Sequence, residues 1–135
     1  MGLKIFLDTN IVIYFVEKHR LFSGTIELLL NGLNAADETC VSPLVRMECL
    51  VMPLRTRDVV LQNLYEQFFA AQTLLPLPVE IFDRAAHVRA DFPKVKTPDA
   101  LHIATALHYN CDEFWTNDNR LDRIAPSLVK NILTP

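Results

Sequence analysis

Short apolar runs that end in polar turn residues alternate along this chain with longer segments of helical periodicity. In the first such pair, residues 4–7 form a short apolar run that ends at Asp8, and apolar residues then recur at helical spacing up to Val16. Further strands are predicted at residues 39–41, 73–77, 114–116 and 129–133, and further helices at 25–33, 43–52, 57–72, 79–92 and 97–107. This alternation predicts an α/β fold, in which helices cover both faces of a central, mostly parallel sheet as a three-layer α/β/α sandwich. With 135 residues, half of them hydrophobic, the chain is expected to form a single domain over residues 1–135.

Capping residues and prolines set the expected helix boundaries. Ser42 followed by Pro43 is typical of a helix start, and that helix is expected to stop before Pro53. Thr97 followed by Pro98 predicts another start, with the threonine as the N-cap. These boundaries determine which side chains lie in the first turn of each helix.

Charge and cysteine content exclude several classes of protein. A net charge of −3 argues against binding nucleic acid through overall charge, so a polyanion has to be met locally, by a metal or by a basic patch. Cys40, Cys49 and Cys111 lie in apolar runs without CxxC spacing, and we interpret all three as core thiols of a protein in the reducing cytoplasm. No apolar run reaches transmembrane length, so no membrane association is expected.

Four of the sixteen acidic residues are expected at one edge of the sheet. Asp8 directly follows the first strand and Asp118 follows the strand at 114–116, so both lie where functional residues collect in open α/β sheets. Glu48 belongs to the helix that leaves the second strand, and helical side chains lean back toward the helix start. Asp99 lies in the first turn of its helix and reaches the same edge if that helix begins there.

Four neighbouring carboxylates repel one another and call for a cation. Oxygen ligands without cysteine or histidine favour Mg²⁺ or Mn²⁺ over zinc. Such a metal activates water for attack on a phosphodiester and neutralises the charge that develops there. The residues therefore indicate phosphodiester hydrolysis.

Four segments that carry these acids resemble the motifs of PIN-domain nucleases. They are Leu7-Asp8-Thr9-Asn10, Arg46-Met47-Glu48, the stretch from Lys96 through Asp99 to Ala106, and Trp115-Thr116-Asn117-Asp118. The resemblance spans nearly the whole chain and is closest to the VapC toxins of VapBC toxin–antitoxin pairs. It implies a Mg²⁺- or Mn²⁺-dependent endoribonuclease that acts on RNA, forms a homodimer and is inhibited by a small VapB-like antitoxin.

The same resemblance implies roles for individual residues. Asp8, Glu48, Asp99 and Asp118 match the metal-binding acids, and Asn10 and Thr116 match flanking polar positions. Phosphate binding in a net-acidic protein needs local polar and basic groups, and Arg46, Lys96 and Asn117 are the predicted substrate contacts. His102 lies three residues after Asp99, where it could face the site, and the favoured interpretation is a core or surface histidine.

Two other functions stay open at this point. A receiver-like, phospho-accepting signalling domain also gathers aspartates at strand ends, but it needs adjacent acids after the first strand, and here Asp8 is followed by Thr9. A nuclease-like module that binds RNA or a partner without cutting is a second alternative. A dinucleotide-binding enzyme ranks last, because three glycines cannot build the G-x-G-x-x-G phosphate-binding turn.

Overall fold

A computed structural model describes residues 2–133 and has a five-stranded sheet flanked by six helices. The strands are β1 (Lys4–Leu7), β2 (Glu38–Val41), β3 (Thr73–Leu74), β4 (Glu113–Thr116) and β5 (Val129–Asn131). The helices are α1 (Thr9–Val16), α2 (Ser23–Asn31), α3 (Pro43–Arg55), α4 (Val59–Ala70), α5 (Val79–Asp91) and α6 (Thr97–His108). The predicted α/β fold is confirmed, with every strand pair parallel.

The strand order β3-β2-β1-β4-β5 places β1 at the centre of the sheet. The chain moves outward from β1 to β2 and β3, then crosses to the other side of β1 to form β4 and β5. Phe6 in β1 is therefore in register with Cys40 of β2 on one side and Phe114 of β4 on the other. The strand order reverses between β1 and β4, and ligands bind beyond such a switch point in open α/β sheets.

The outer strands are shorter than predicted. β3 ends at Leu74. The backbone N–H of Leu75 still donates a hydrogen bond to the carbonyl of Val41, but the proline that follows has no backbone N–H with which to continue the ladder. β5 ends at Asn131, two residues earlier than predicted. Beyond the strand, the backbone N–H of Ile132 still donates a hydrogen bond to the carbonyl of Thr116.

Helix α3 begins as predicted but ends later. The Ser42 hydroxyl accepts a hydrogen bond from the backbone N–H of Val45 at 3.2 Å, and Pro43 occupies the first turn. The predicted stop before Pro53 is wrong, since the helix continues to Arg55 with Pro53 buried inside it. A proline forfeits one helical hydrogen bond, and here burial of the ring compensates for that loss.

The start of α6 also differs by one residue. Lys96 holds the N-cap position and its side chain makes no capping hydrogen bond, so Thr97 is not the cap. The Thr97 hydroxyl instead accepts a hydrogen bond from the Arg89 guanidinium at 3.1 Å. Asp99 nevertheless lies in the first turn, as the sequence predicted.

Two hydrophobic clusters hold the helices in place. The larger one joins the strands to α1–α4, with Tyr65 fully buried, and the smaller one joins α5 to α6 around Ile81 and Ala104. Cys40 and Cys49 are buried free thiols, whereas Cys111 is only half-buried at the edge of the larger cluster. Within residues 2–133 no helix combines the length and apolarity that crossing a bilayer requires.

Candidate functional site

A cavity of about 280 Å³ opens beyond the carboxyl ends of β1 and β4, at the point where the strand order reverses. All four predicted acids line it: Asp8, Glu48, Asp99 and Asp118. The predicted polar residues Asn10, Lys96 and Asn117 line it as well, together with Thr9, His102 and Arg120. The fold therefore brings four carboxylates from four separate segments to one pocket.

Asp8 is held at the floor of the pocket by both of its oxygens. Oδ1 accepts the backbone N–H of Thr9 at 2.8 Å, so Asp8 also caps α1, and Oδ2 accepts the Thr116 hydroxyl at 2.7 Å. Burial raises the pKa of Asp8, and the negative charge of Glu48 adds to the rise, while His102, Thr116 and Thr9 oppose it. Thr116 is itself fully buried and its hydroxyl accepts the backbone N–H of Asp118 at 3.1 Å. One hydroxyl thus connects two of the acidic segments.

Glu48 is held by a hydroxyl and an imidazole. Oε1 accepts the Thr9 hydroxyl at 2.6 Å and lies 2.7 Å from Nε2 of His102. Burial alone would raise the pKa of Glu48, but the hydrogen bonds from His102 and Thr9 outweigh it, and the pKa is lowered. Glu48 therefore stays ionised at neutral pH.

His102 is almost fully buried beneath the pocket, with 2% of its side chain exposed. Because an ionised carboxylate only accepts hydrogen bonds, the contact with Glu48 assigns the ring proton to Nε2. Among the described residues, the buried Nδ1 has no hydrogen-bond partner. The imidazole is therefore oriented by Glu48 and by packing against Phe6, whose ring centroid lies 5.9 Å away.

Asp99 reaches the pocket from the first turn of α6 and is half-buried. Burial raises its pKa, the charges of Asp8 and Asp118 raise it further, and His102 and Arg120 lower it. Burial is thus the main cause of the rise, and two neighbouring carboxylates add to it.

Asp118 follows β4 and forms a bidentate ion pair with Arg120. Oδ1 accepts the guanidinium Nε at 2.9 Å and Oδ2 accepts Nη2 at 2.6 Å. The Arg120 hydrogen bonds lower the pKa of Asp118 against the effect of partial burial, and Lys96 lowers it further. A cation of the chain therefore already neutralises one of the four acids.

The donor set and charge of this pocket fit a hard divalent cation. Its acids offer only oxygen ligands, and burial together with neighbouring carboxylates raises the pKa values of Asp8 and Asp99, a cost of ionisation that a cation relieves. Within residues 2–133, however, no three histidine, cysteine or acidic side chains converge closely enough to hold one ion as they stand. Asp118 and Glu48 are also engaged by Arg120 and His102, so a metal would compete for oxygens that these contacts use.

One predicted substrate contact lies elsewhere. Arg46 forms an ion pair with Glu66 at 2.5 Å, and its guanidinium carbon sits 5.5 Å from the ring centroid of Phe69. These residues line a separate cavity, so Arg46 does not face the carboxylates. Asn117 lines the pocket and donates a hydrogen bond to the Tyr14 hydroxyl at 3.2 Å.

Sequence reasoning did not assign Thr9, His102 or Arg120 to the site. His102 was interpreted as a core or surface histidine, and it is buried, but its position three residues after Asp99 also places both side chains on neighbouring parts of one helix face. Arg120 lies two residues after Asp118 in a turn, a spacing that permits a local ion pair but does not reveal one.

Comparison with protein families gives one match over most of the chain. The family model described as PIN domain matches residues 5–126. No curated protein sequence matches the chain.

Solved structures with the same fold come from several bacteria. A chain of VapBC-1 from nontypeable Haemophilus influenzae superposes with a TM-score of 0.82 at 18% identity, over 98% of this chain and 100% of that one. A chain of DNA-bound VapBC from Salmonella typhimurium gives 0.72 at 23% identity, over 96% and 98%. VapC20 of Mycobacterium tuberculosis, described as a toxin that cleaves the sarcin-ricin loop, gives 0.72 at 15% identity, over 90% and 95%. At these identities the likeness establishes the fold.

Proposed function

Because the chain belongs to the PIN-domain family, we propose that it is a Mg²⁺- or Mn²⁺-dependent endoribonuclease that hydrolyses phosphodiester bonds of RNA. The observation that carries the proposal is the convergence of Asp8, Glu48, Asp99 and Asp118 on one pocket at the switch point of the sheet. A structural neighbour described as a toxin that cleaves the sarcin-ricin loop supports RNA as the substrate.

The four acids would hold the divalent cation, which would offset the cost of ionising the buried Asp8 and the half-buried Asp99. When bound, the cation supplies Lewis-acid activation of water and neutralises charge at the phosphate. Thr116 fixes the position of Asp8, and His102 and Thr9 fix that of Glu48. Preorganised carboxylates lower the cost of assembling the reactive geometry.

Several side chains around the acids would contact the substrate itself. Lys96 and Arg120 place positive charge at the pocket, where they would attract the phosphate. Asn10 and Asn117 offer amide groups in the lining for hydrogen bonds to phosphate or sugar oxygens. Glu48, kept ionised by its neighbours, is available to accept a proton from the attacking water.

The test is a cleavage assay with the purified chain and a fluorescent RNA. The unmodified protein is expected to cut with Mg²⁺ or Mn²⁺ and to stop cutting in EDTA, and Asp8→Asn and Asp99→Asn are each expected to lose activity by about 10²-fold or more. Asp83→Asn, an exposed acid on α5 outside the pocket, serves as the matched control and should cut normally. Cutting by both pocket variants in EDTA would refute the metal mechanism.

We further propose that the chain is the toxin of a type II toxin–antitoxin pair in the cytoplasm. Support comes from structural neighbours described as VapBC or toxin–antitoxin complexes. The expected partners are a small VapB-like antitoxin and a second copy of this chain. An antitoxin encoded beside this chain is expected to abolish RNA cleavage when added at an equimolar ratio, and persistent cleavage would contradict the pairing.

One observation favours a second candidate, a PIN-like module that binds RNA or a partner without cutting. Asp118 is already neutralised by Arg120, and within the described part of the chain no three ligands stand ready for one ion. This candidate predicts RNA binding without cleavage at any concentration of Mg²⁺ or Mn²⁺. The same assay therefore separates the two functions.

A further inference from the structure

A second cavity, of about 140 Å³, adjoins the carboxylate pocket on the side of α6. The two share Lys96, Asp99 and Arg120, and the second adds Lys94 and Arg123. We propose that this basic groove, defined by Lys94, Lys96, Arg120 and Arg123, binds the phosphate backbone of single-stranded RNA on one side of the cleaved bond. The inference rests on the proposed ribonuclease function and identifies where the strand lies.

The first argument for an RNA-binding groove is its local charge. The chain has a net charge of −3, yet the groove brings four cationic side chains together around one acid, Asp99. Lys94, Lys96 and Arg123 are exposed, and within residues 2–133 none of them forms an ion pair. Their charges are therefore available to phosphates, which supply most of the affinity in nucleic-acid binding.

The second argument is the position of the groove beside the carboxylate pocket. Four carboxylates repel a polyanion, so a strand that enters their pocket must be held by cations beside it. Arg120 lies at the boundary, bonded to Asp118 on the pocket side and lining the groove on the other. The geometry gives one continuous path from the reactive centre to Lys94 and Arg123.

A third cavity extends this path and offers a surface for a base. Lys94 and Arg123 also border a cavity of about 310 Å³ whose wall contains Asp91, Phe92 and Pro93. Phe92 is half-buried against the cluster that joins α5 to α6. Cations beside a partly accessible aromatic ring suit a single strand, in which phosphates meet the cations and a base stacks on the ring. An acidic protein segment would use the cations but has no bases to stack on Phe92.

The predicted substrate contact outside this groove is not available to phosphates. The predicted contact Arg46 is paired with Glu66 and covers Phe69, so its charge is already compensated. The basic groove is therefore the side on which we place the RNA backbone.

The test measures binding without cleavage. A fluorescein-labelled oligouridine of about 20 nucleotides is titrated with protein in EDTA, and the dissociation constant is followed by anisotropy from about 25 to 200 mM KCl. The double variant Lys94→Gln/Arg123→Gln removes one lysine and one arginine of the groove. Arg55→Gln/Lys130→Gln removes the same charges from exposed positions outside the pocket and the groove.

Loss of two phosphate contacts should lower the slope of log K against log salt by about 1.4, which at about 0.1 M salt is a roughly 25-fold weaker affinity. The control variant should keep the slope of the unmodified chain, and circular dichroism should show both variants folded. An unchanged slope in the groove variant overturns the proposal, as does failure of the unmodified chain to bind RNA. Variant-sensitive binding of a polyglutamate peptide without RNA binding also overturns it.

The outcome is separable from that of the proposed function. A chain that cuts RNA while the groove variant keeps its slope retains the ribonuclease and loses the groove. A chain that never cuts RNA but shows the expected drop in slope retains the groove and loses the ribonuclease.

Discussion

Nε2 of His102 in α6 lies 2.7 Å from Oε1 of Glu48 in α3, although 54 residues separate the two side chains in sequence. The contact supplies the partner that a carboxylate in an apolar helix requires. It also makes His102 a positioning residue, because the imidazole holds the Glu48 carboxylate in place.

Replacing His102 tests that relationship. His102→Ala removes a buried hydrogen-bond partner and is expected to lower the free energy of unfolding by about 1–3 kcal/mol in urea titrations. His102→Gln places an amide N–H near the position of Nε2 and should recover part of both the stability and kcat. Equal losses in the two variants would show that ring packing, and not the hydrogen bond, is what matters.

The buried Thr116 hydroxyl offers a second test. Thr116→Val keeps the shape but leaves Oδ2 of Asp8 and the N–H of Asp118 without their partner, so we expect a loss of about 1–3 kcal/mol in the free energy of unfolding. Thr116→Ser keeps a hydroxyl and should lose less. Because Thr116 lowers the pKa of Asp8, the valine variant should also raise that pKa in NMR titrations. A valine variant as stable as the serine variant contradicts this prediction.

Burial of Asp99, with two carboxylates beside it, predicts a gain in stability when its charge is removed in the absence of metal. Its pKa is raised in the folded state, so its ionisation opposes folding once the pH exceeds the pKa of the unfolded chain. Asp99→Asn is therefore expected to stabilise the metal-free protein at about pH 7 by roughly 0.5–1 kcal/mol. The difference should shrink as the pH falls through the raised pKa of the folded state and vanish below the pKa of the unfolded chain, where the carboxyl is neutral in both states. Urea titrations at several pH values, with Asp83→Asn as control, measure it, and a destabilised Asp99→Asn protein at neutral pH would contradict it.

Arg120 is expected to compete with a divalent cation. Arg120→Gln frees Asp118 and leaves the pocket more negative, so Mn²⁺ should bind several-fold more tightly, as measured from free Mn²⁺ by electron paramagnetic resonance. Arg123→Gln removes an equal charge that lies outside the carboxylate pocket, and its effect should be smaller. Weaker Mn²⁺ binding by Arg120→Gln would show that the arginine organises Asp118 for the metal.

The proposed homodimer predicts an interface on α3. Met47, Val51 and Leu54 follow one another at helical spacing and are 56%, 45% and 57% exposed. Val51→Asp is expected to convert the dimer to a monomer in light-scattering experiments, since a charge in an apolar interface is costly. Val79→Asp alters an exposed valine on α5 and should leave the assembly intact. A dimer that survives Val51→Asp would place the interface elsewhere.

Local signals in the sequence were enough to predict most of the secondary structure. The Ser42-Pro43 start of α3 and the position of Asp99 in the first turn of α6 depend on capping and backbone geometry, which are short-range. Pro53 was misjudged because its ring is buried, and burial is a tertiary property.

The face of α4 shows the same limit. Val60, Leu64 and Phe68 recur at helical spacing in the sequence, yet the structure buries Tyr65 and leaves Val60 and Leu64 exposed. Periodicity predicts that an apolar stripe exists, but the neighbouring elements determine which side of a broad stripe faces the core.

The carboxylates of the pocket could be predicted because strand ends and helix starts place them by simple geometry. Their partners could not. The contact of His102 with Glu48 depends on how α6 packs near α3. The ion pair of Asp118 with Arg120 depends on a turn conformation that the sequence permits but does not require.

The buried hydrogen bond from Thr116 to Asp8 spans 108 residues and joins neighbouring strands at the centre of the sheet. A nascent chain that has been synthesised only through residue 100 therefore contains three of the acids but not the strand that completes their surroundings. Chains that terminate before β4 would lack the assembled pocket, so the pocket forms only after synthesis has passed Thr116.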